Sequence, residues 1–256
     1  MMKRFFADWG GSLADGWRVL RALPWLIVAM IAIEMAQHVV EVSTGFLSAD
    51  AAVRHAAGLH PLRMALGWPK MLATWALAAF AIRYLVLGDA AAALRVPARA
   101  WRRYAGVVLF QLIPFVAILY AEPIVTTLGL TPVATWVLRI RLAFGLAQQL
   151  FEPLLFLWFV NAAIGTTGFG PIASARVTRW WYFWGLLLVF VTRLPFNLLH
   201  QVLNRWPVGH PAVVLWPLLA IDAMLVGVMV VTIAAAQVRA ARLVVERRGI
   251  PLLAER

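Results

Sequence analysis

Four ionisable residues fall where a hydrophobic chain should have none. Glu34, Glu152, Arg193 and Asp222 each sit inside a long apolar run, and a charge in hydrocarbon is costly enough to mark a candidate functional site. Counted from the end of its run nearest the most basic loops, each lies 12 to 14 residues in. At about 1.5 Å per residue, that puts all four roughly 18–21 Å deep. Three carboxyls and one guanidinium cannot all be ionised side by side in hydrocarbon. Arg193, always charged, is expected to engage Asp222 or Glu152 bidentately, and the remaining carboxyls to share protons. Exchangeable protons at that depth are what proton-coupled transport requires. Gln37, His38, Gln148, Gln149, Asn197, His200 and Gln201 lie outward of this level and would form a polar vestibule if they face the interior. The same groups would serve equally to fix helix packing through buried pairs. A substrate or proton path and a purely structural role both stand open.

Other chemistry finds little support. Glu34, His38 and Glu41 are spaced i, i+4 and i+7 on one helix face and carry metal-competent atoms. Only His200 adds a second intramembrane imidazole, so the ligand set is too small and neither a bound metal nor another cofactor is expected. No H-E-x-x-H, G-x-S-x-G or phosphate-binding loop occurs, and there is no Cys. Ser is scarce in the apolar runs, so nucleophilic catalysis has no candidate residue and the chain reads as non-enzymatic. Pro114, Pro153, Pro195 and Pro217 stand near the polar groups, each removing a backbone hydrogen bond.

The elements that must position these residues follow from composition. Of 256 residues, 63% are hydrophobic and 13% charged, against about 25% charged in a soluble domain. That excludes disorder and an ordinary soluble core. Six runs approach the length of about 20 residues that a spanning helix needs: about Ala22–Val42, Met71–Gly88, Tyr104–Tyr120, Ala143–Gly165, Trp181–Leu203 and Pro211–Ala236. Continuous apolar runs such as Leu154–Val160 exclude the alternation of an outer-membrane barrel. The fold class is therefore all-α, a polytopic transmembrane bundle with six spans. Residues 1–20 are an amphipathic interfacial segment, 21–238 the six-helix domain and 239–256 a short basic cytoplasmic tail. In the first segment Phe5, Phe6, Trp9, Leu13, Trp17 and Leu20 recur about four apart, with a possible break at Gly10-Gly11. Two outer stretches, Ala51–Ala57 and Thr131–Leu142, read as short surface-lying amphipathic pieces. The first apolar run carries Glu34 and no small-residue cleavage site follows, so a cleavable signal peptide is not expected.

The net charge of +12 is lopsided in a way that reports topology. Fifteen Lys and Arg, Arg256 among them, fall on the side of the termini and six on the other, so both termini are expected in the cytoplasm. Arg83 lies within a span near its cytoplasmic end and is expected to snorkel to the interface. The Arg residues come in small groups between apolar runs rather than on one basic face, so no nucleic-acid partner is expected. Membrane lipids are the expected partners, with a homo-oligomer or a membrane complex as further possibilities. The Arg- and Ala-rich composition points to a bacterial inner membrane.

Two hairpins echo each other. One reads Pro97, Arg99, Arg102-Arg103, Tyr104, Gly106, Pro114-Phe115; the other Pro171, Arg176, Arg179, Tyr182, Gly185, Pro195-Phe196. The offset grows from 74 to 81 residues, which suits a parallel repeat with insertions or the usual dressing of cytoplasmic span ends. A Pro, a short Arg-bearing amphipathic stretch such as Pro171–Arg179 and an aromatic-led span resemble a bacterial six-helix family related to the membrane domain of glycerophosphoryl diester phosphodiesterases. The resemblance covers most of the chain. It implies a membrane domain whose phosphodiesterase partner is a separate soluble domain, and it carries over no catalytic residue. It also keeps a lipid-related enzyme as a third reading, behind solute binding or transport and behind a structural or assembly subunit.

Overall fold

Backbone polar groups cannot be left bare in hydrocarbon, so a chain this apolar must satisfy them within helices or a closed barrel. Helices are the solution here. The computed structural model describes residues 2–253, and no strand occurs among them; Arg256, counted above on the cytoplasmic side, lies outside that range. The elements are α1 (Met2–Ala22), α2 (Pro24–Ser43), α3 (Ala51–Gly58), α4 (Pro61–Leu87), α5 (Ala90–Leu94), α6 (Ala98–Leu119), α7 (Ala121–Thr127) and α8 (Val133–Phe151). A 3-10 turn (Glu152–Leu155) leads into α9 (Phe156–Ile164). Then come α10 (Pro171–Thr178), a second 3-10 turn (Arg179–Trp181), α11 (Tyr182–Arg205) and α12 (Ala212–Arg248). Six helical stretches are long and apolar enough to cross a membrane: Pro24–Ser43, Pro61–Leu87, Ala98–Leu119, Val133–Ile164, Pro171–Arg205 and Ala212–Arg248. The chain is an integral, multi-pass membrane protein with an all-α fold.

Several boundaries move from those read in the sequence. The second span starts at Pro61, not near Met71, because Pro61 opens the helix and the His60 side chain accepts the Leu62 N–H. The stretch Thr131–Leu142, read as surface-lying, joins α8 from Val133 onward. The basic residues Arg239 to Arg248, read as tail, are the end of α12. The outer piece near Ala51 is α3, capped by Asp50, whose side chain accepts from Ala52 and Val53 N–H.

Two compact units make up the chain. One comprises the residues up to Ala93 together with Val191–Ala236; the other comprises Leu94–Phe190 and the residues from Gln237 on. In the first unit α2 packs along α4, and α1 lies against both. The α1 helix runs unbroken through Gly10-Gly11 and buries Ser12, Asp15, Gly16 and Val19, while Phe6 and Trp17 are exposed. A small polar face inward and an aromatic face outward suits a helix whose surroundings are lipid. Gly16 permits the contact: a Cβ there would lie 2.6 Å from Thr232 Oγ1 and 3.1 Å from its Cα. Arg83 does not snorkel. It is 3% exposed, and its guanidinium donates to the carbonyls of Ala93 and Ala92, each at 2.8 Å. The charge thereby satisfies carbonyls at the end of α5, where a helix C-terminus favours a cation.

The second unit is built around one interrupted helix. Pro153 cannot donate a backbone hydrogen bond, and the chain passes from α8 through the 3-10 turn to α9 at that point. The Ser174 hydroxyl of α10 donates to Leu154 O at 2.7 Å and accepts from Trp158 N–H at 3.3 Å. One side chain thus links a carbonyl of the 3-10 turn to an amide in the first turn of α9. Pro114, Pro195 and Pro217 lie within continuous helices. Phe110, Phe156, Trp158 and Phe159 pack edge-on or tilted at centroid separations of 5.7–6.3 Å.

Substituting Gly16 by Val should therefore force α1 away from Thr232 and lower stability by about 1–3 kcal/mol. Gly10→Ala, where a Cβ meets nothing within 4 Å, should not. Thermal denaturation of the two variants in detergent checks both expectations.

Candidate functional site

The buried face of α2 changes character along its length. Ile27, Met30, Glu34, His38 and Glu41 are its buried residues, spaced three or four apart on one stripe. The first two are apolar and the last three ionisable. Each ionisable group in hydrocarbon needs a partner, and α4, α11 and α12 supply them within the first unit.

Glu34 accepts from Lys70 Nζ at 2.6 Å through Oε1; its Oε2 is buried and has no hydrogen bond. Glu41 accepts from Gln37 at 2.9 Å and from Arg63 Nε at 3.0 Å. Its other oxygen lies 3.1 Å from His38 Nδ1. Asp222 is 2.6 Å from His200 Nδ1 and accepts from Asn204 at 2.9 Å. His38 joins the two ends of this arrangement. Its Nε2 lies 3.2 Å from Asp222 Oδ2 and 3.8 Å from Glu34 Oε1 but makes no hydrogen bond.

The proton positions follow from the partners. A carboxylate held by two donors, as Glu41 is, can only accept from His38, so Nδ1 carries the hydrogen. Nε2 then faces two carboxylates, and either a second proton on the ring or a cation must stand between them. The same tally holds for the group as a whole. Three carboxylates face the side chains of Lys70 and Arg63 as fixed cations, leaving one negative charge in excess while both imidazoles are neutral.

The side chains of Glu34, His38, Glu41 and Asp222 are at most 3% exposed, whereas those of Lys70, Arg63 and His200 are 20%, 22% and 30% exposed. Glu41 is two residues from the end of α2 and Arg63 two residues from the start of α4. Glu34, Lys70 and Asp222 each lie nine or ten residues inside those same ends, about 14–15 Å along the axis. Arg63 and His200 thus mark one end of the cluster, its rim, and Glu34, Lys70 and Asp222 the other.

Of the four charges placed at one depth by counting, Glu34 and Asp222 meet at His38. Glu152 belongs to the second unit, where it accepts from Gln111 and Gln148, each at 2.8 Å, and Gln148 also donates to Gln111 at 2.6 Å. Asp222, offered as a partner for Arg193, pairs with His200, His38 and Asn204 instead; Arg193 is half-buried on α11. Counting residues gives height but not which helices are neighbours. Gln149 and Asn197 are half-buried and Gln201 is exposed, and none of the three hydrogen-bonds to either group.

Lys70, Arg63, Asn204 and Gln111 were missed. Lys70 and Arg63 precede the Met71–Gly88 run because charges depress hydropathy at the start of α4. The signal was present: Pro61 after a cap-forming residue marks a helix start, and Arg63 and Lys70 then fall seven apart on one face. No family model matches the chain, and comparison with curated proteins and with solved structures yields no match.

Lys70→Met should leave the buried Glu34 carboxylate without its cation and cost about 3 kcal/mol, near the lower end for a buried pair because Lys70 is 20% exposed. Adding Glu34→Gln should restore most of the loss. A double-mutant cycle of unfolding in detergent measures this, and an unchanged single variant would contradict the pairing.

Proposed function

We propose that the protein binds a small inorganic cation at Glu34, His38 and Asp222 and moves it between that level and the rim formed by Arg63 and His200. One observation carries this reading: His38 Nε2 is buried between two carboxylates with no hydrogen bond. A group used only to fix helix packing is stabilising when its polar atoms are satisfied, and this one is not. With both imidazoles neutral the cluster carries one negative charge in excess, which a bound cation would offset in place of a second proton on His38. The competing structural reading is favoured by Asp222 and Glu41, each of which has at least two close partners.

Location and orientation belong to the same proposal. The protein resides in a bacterial cytoplasmic membrane with both termini inside, supported by the 15-to-6 distribution of basic residues. The rim then opens on the outer side. The chain has no cysteine, so single cysteines report topology without background. Leu59→Cys, between α3 and α4, should react with a membrane-impermeant maleimide in intact cells. Leu94→Cys, at the end of α5, should react only after lysis. The reverse pattern would invert the orientation.

Transport is tested in proteoliposomes enclosing a cation-responsive dye, with K+, Mg2+, Mn2+ or Zn2+ supplied outside in turn. At least one ion should enter faster than into protein-free vesicles, and Asp222→Asn should slow that entry at least tenfold, whereas Asp50→Asn in the α3 cap should not. Folding of each variant is checked by circular dichroism. Entry no faster than into empty vesicles, or a folded Asp222→Asn variant at the wild-type rate, would overturn the reading.

A further inference from the structure

The geometry points to a divalent transition-metal ion as the occupant, held by Glu34, His38 and Asp222, with Glu41 positioning the imidazole. This rests on the cation-site reading above and names its ligand class.

Distances come first. One donor atom from each of the three residues can be chosen so that all lie within 4.8 Å of one another. The 3.2 Å between His38 Nε2 and Asp222 Oδ2 matches the roughly 3.0–3.5 Å that separates neighbouring ligands on an ion with bonds of about 2.0–2.2 Å. Two atoms of the trio, His38 Nε2 and Glu34 Oε2, are buried without a hydrogen bond, in side chains 1% exposed. His38 Nε2 is the nitrogen a metal would use, and Glu34 Oε1 lies 3.8 Å from it. The α2 helix alone offered too few ligands; Asp222, brought in by α12, supplies the missing one.

The imidazole is prepared for coordination. A metal-binding histidine ordinarily gives its other ring N–H to a carboxylate, which fixes the tautomer and raises ligand basicity. Glu41 does this at Nδ1, and Glu41 is itself held by Gln37 and Arg63. The lone pair is thereby fixed on Nε2, facing the two carboxylates.

Ligand chemistry narrows the ion. One imidazole and two carboxylates suit Mn2+, Fe2+, Co2+ or Zn2+. Ca2+ calls for six to eight oxygen ligands and Mg2+ for a near-ideal octahedron of oxygen. Three protein ligands also leave coordination positions open, as an ion that must arrive and leave requires. Lys70 donates to Glu34 Oε1 and leaves Oε2 without a hydrogen bond. Its positive charge beside the site opposes metal binding, which gives a signature that helix packing alone would not produce.

The test uses the full chain, purified in detergent and stripped with chelator. Co2+ is titrated by its visible absorption, and Zn2+ is then used to displace it. One Co2+ should bind per chain. Glu34→Gln and Asp222→Asn should abolish the Co2+ bands. Glu41→Gln should weaken binding about 10–100-fold while keeping one site. Lys70→Met should bind at least threefold tighter, and added Zn2+ should restore its thermal stability. His55→Ala and His210→Ala, on exposed histidines, should change nothing. Should a ligand variant fail to fold, the wild-type stoichiometry and the Glu41 and Lys70 variants still decide. A folded wild-type protein that takes up neither ion overturns the assignment, as does binding lost with His55 or His210 and kept in a folded Glu34→Gln variant. One bound ion without flux in vesicles overturns transport alone. Flux of K+ or Mg2+ without Co2+ or Zn2+ binding overturns the metal assignment alone.

Discussion

A carboxylate surrounded by hydrocarbon must be met by a cation or by hydrogen-bond donors, and the first unit is organised around that requirement. The α2 helix places Glu34, His38 and Glu41 on one buried stripe. Lys70 and Arg63 come from α4, His200 and Asn204 from α11 and Asp222 from α12 to meet them. Four helices are thereby committed to one register, because a one-residue slip in any of them would leave a charge unpaired. In the second unit Glu152 accepts from two glutamine amides, those of Gln111 and Gln148.

The backbone obeys the parallel rule. Where Pro153 interrupts the helix, the Ser174 hydroxyl serves both an acceptor and a donor, so the break is tolerated within the bundle. Where α1 approaches Thr232, only a glycine fits. Small residues and single hydroxyls set the helix positions, and the charged cluster is held within them.

Much of this was legible in the residues. The six spans and the all-α class follow from hydropathy, and counting along the helices puts Glu34 and Asp222 at a common depth. Three things were not legible, for physical reasons. Lys70 and Arg63 lower the local hydropathy, so the reading that finds spans hides the charged residues that complete a site inside one. Depth counting gives a height along each helix and cannot assign neighbours, so Glu41, Gln37 and Asn204 do not stand out as partners of the cluster. Arg83 sits near a span end, where snorkelling is the ordinary outcome, and only the fold reveals the α5 carbonyls that hold it inside.

The central claim is that the carboxylate–histidine cluster of the first unit is an ion site rather than a clamp between helices. Anomalous diffraction from crystals grown with Zn2+ tests it most directly. The result expected is one peak within coordination distance of His38 Nε2 and of carboxylate oxygens from Glu34 and Asp222. A map with no peak there, and with His38 Nε2 hydrogen-bonded directly to Asp222, would contradict it.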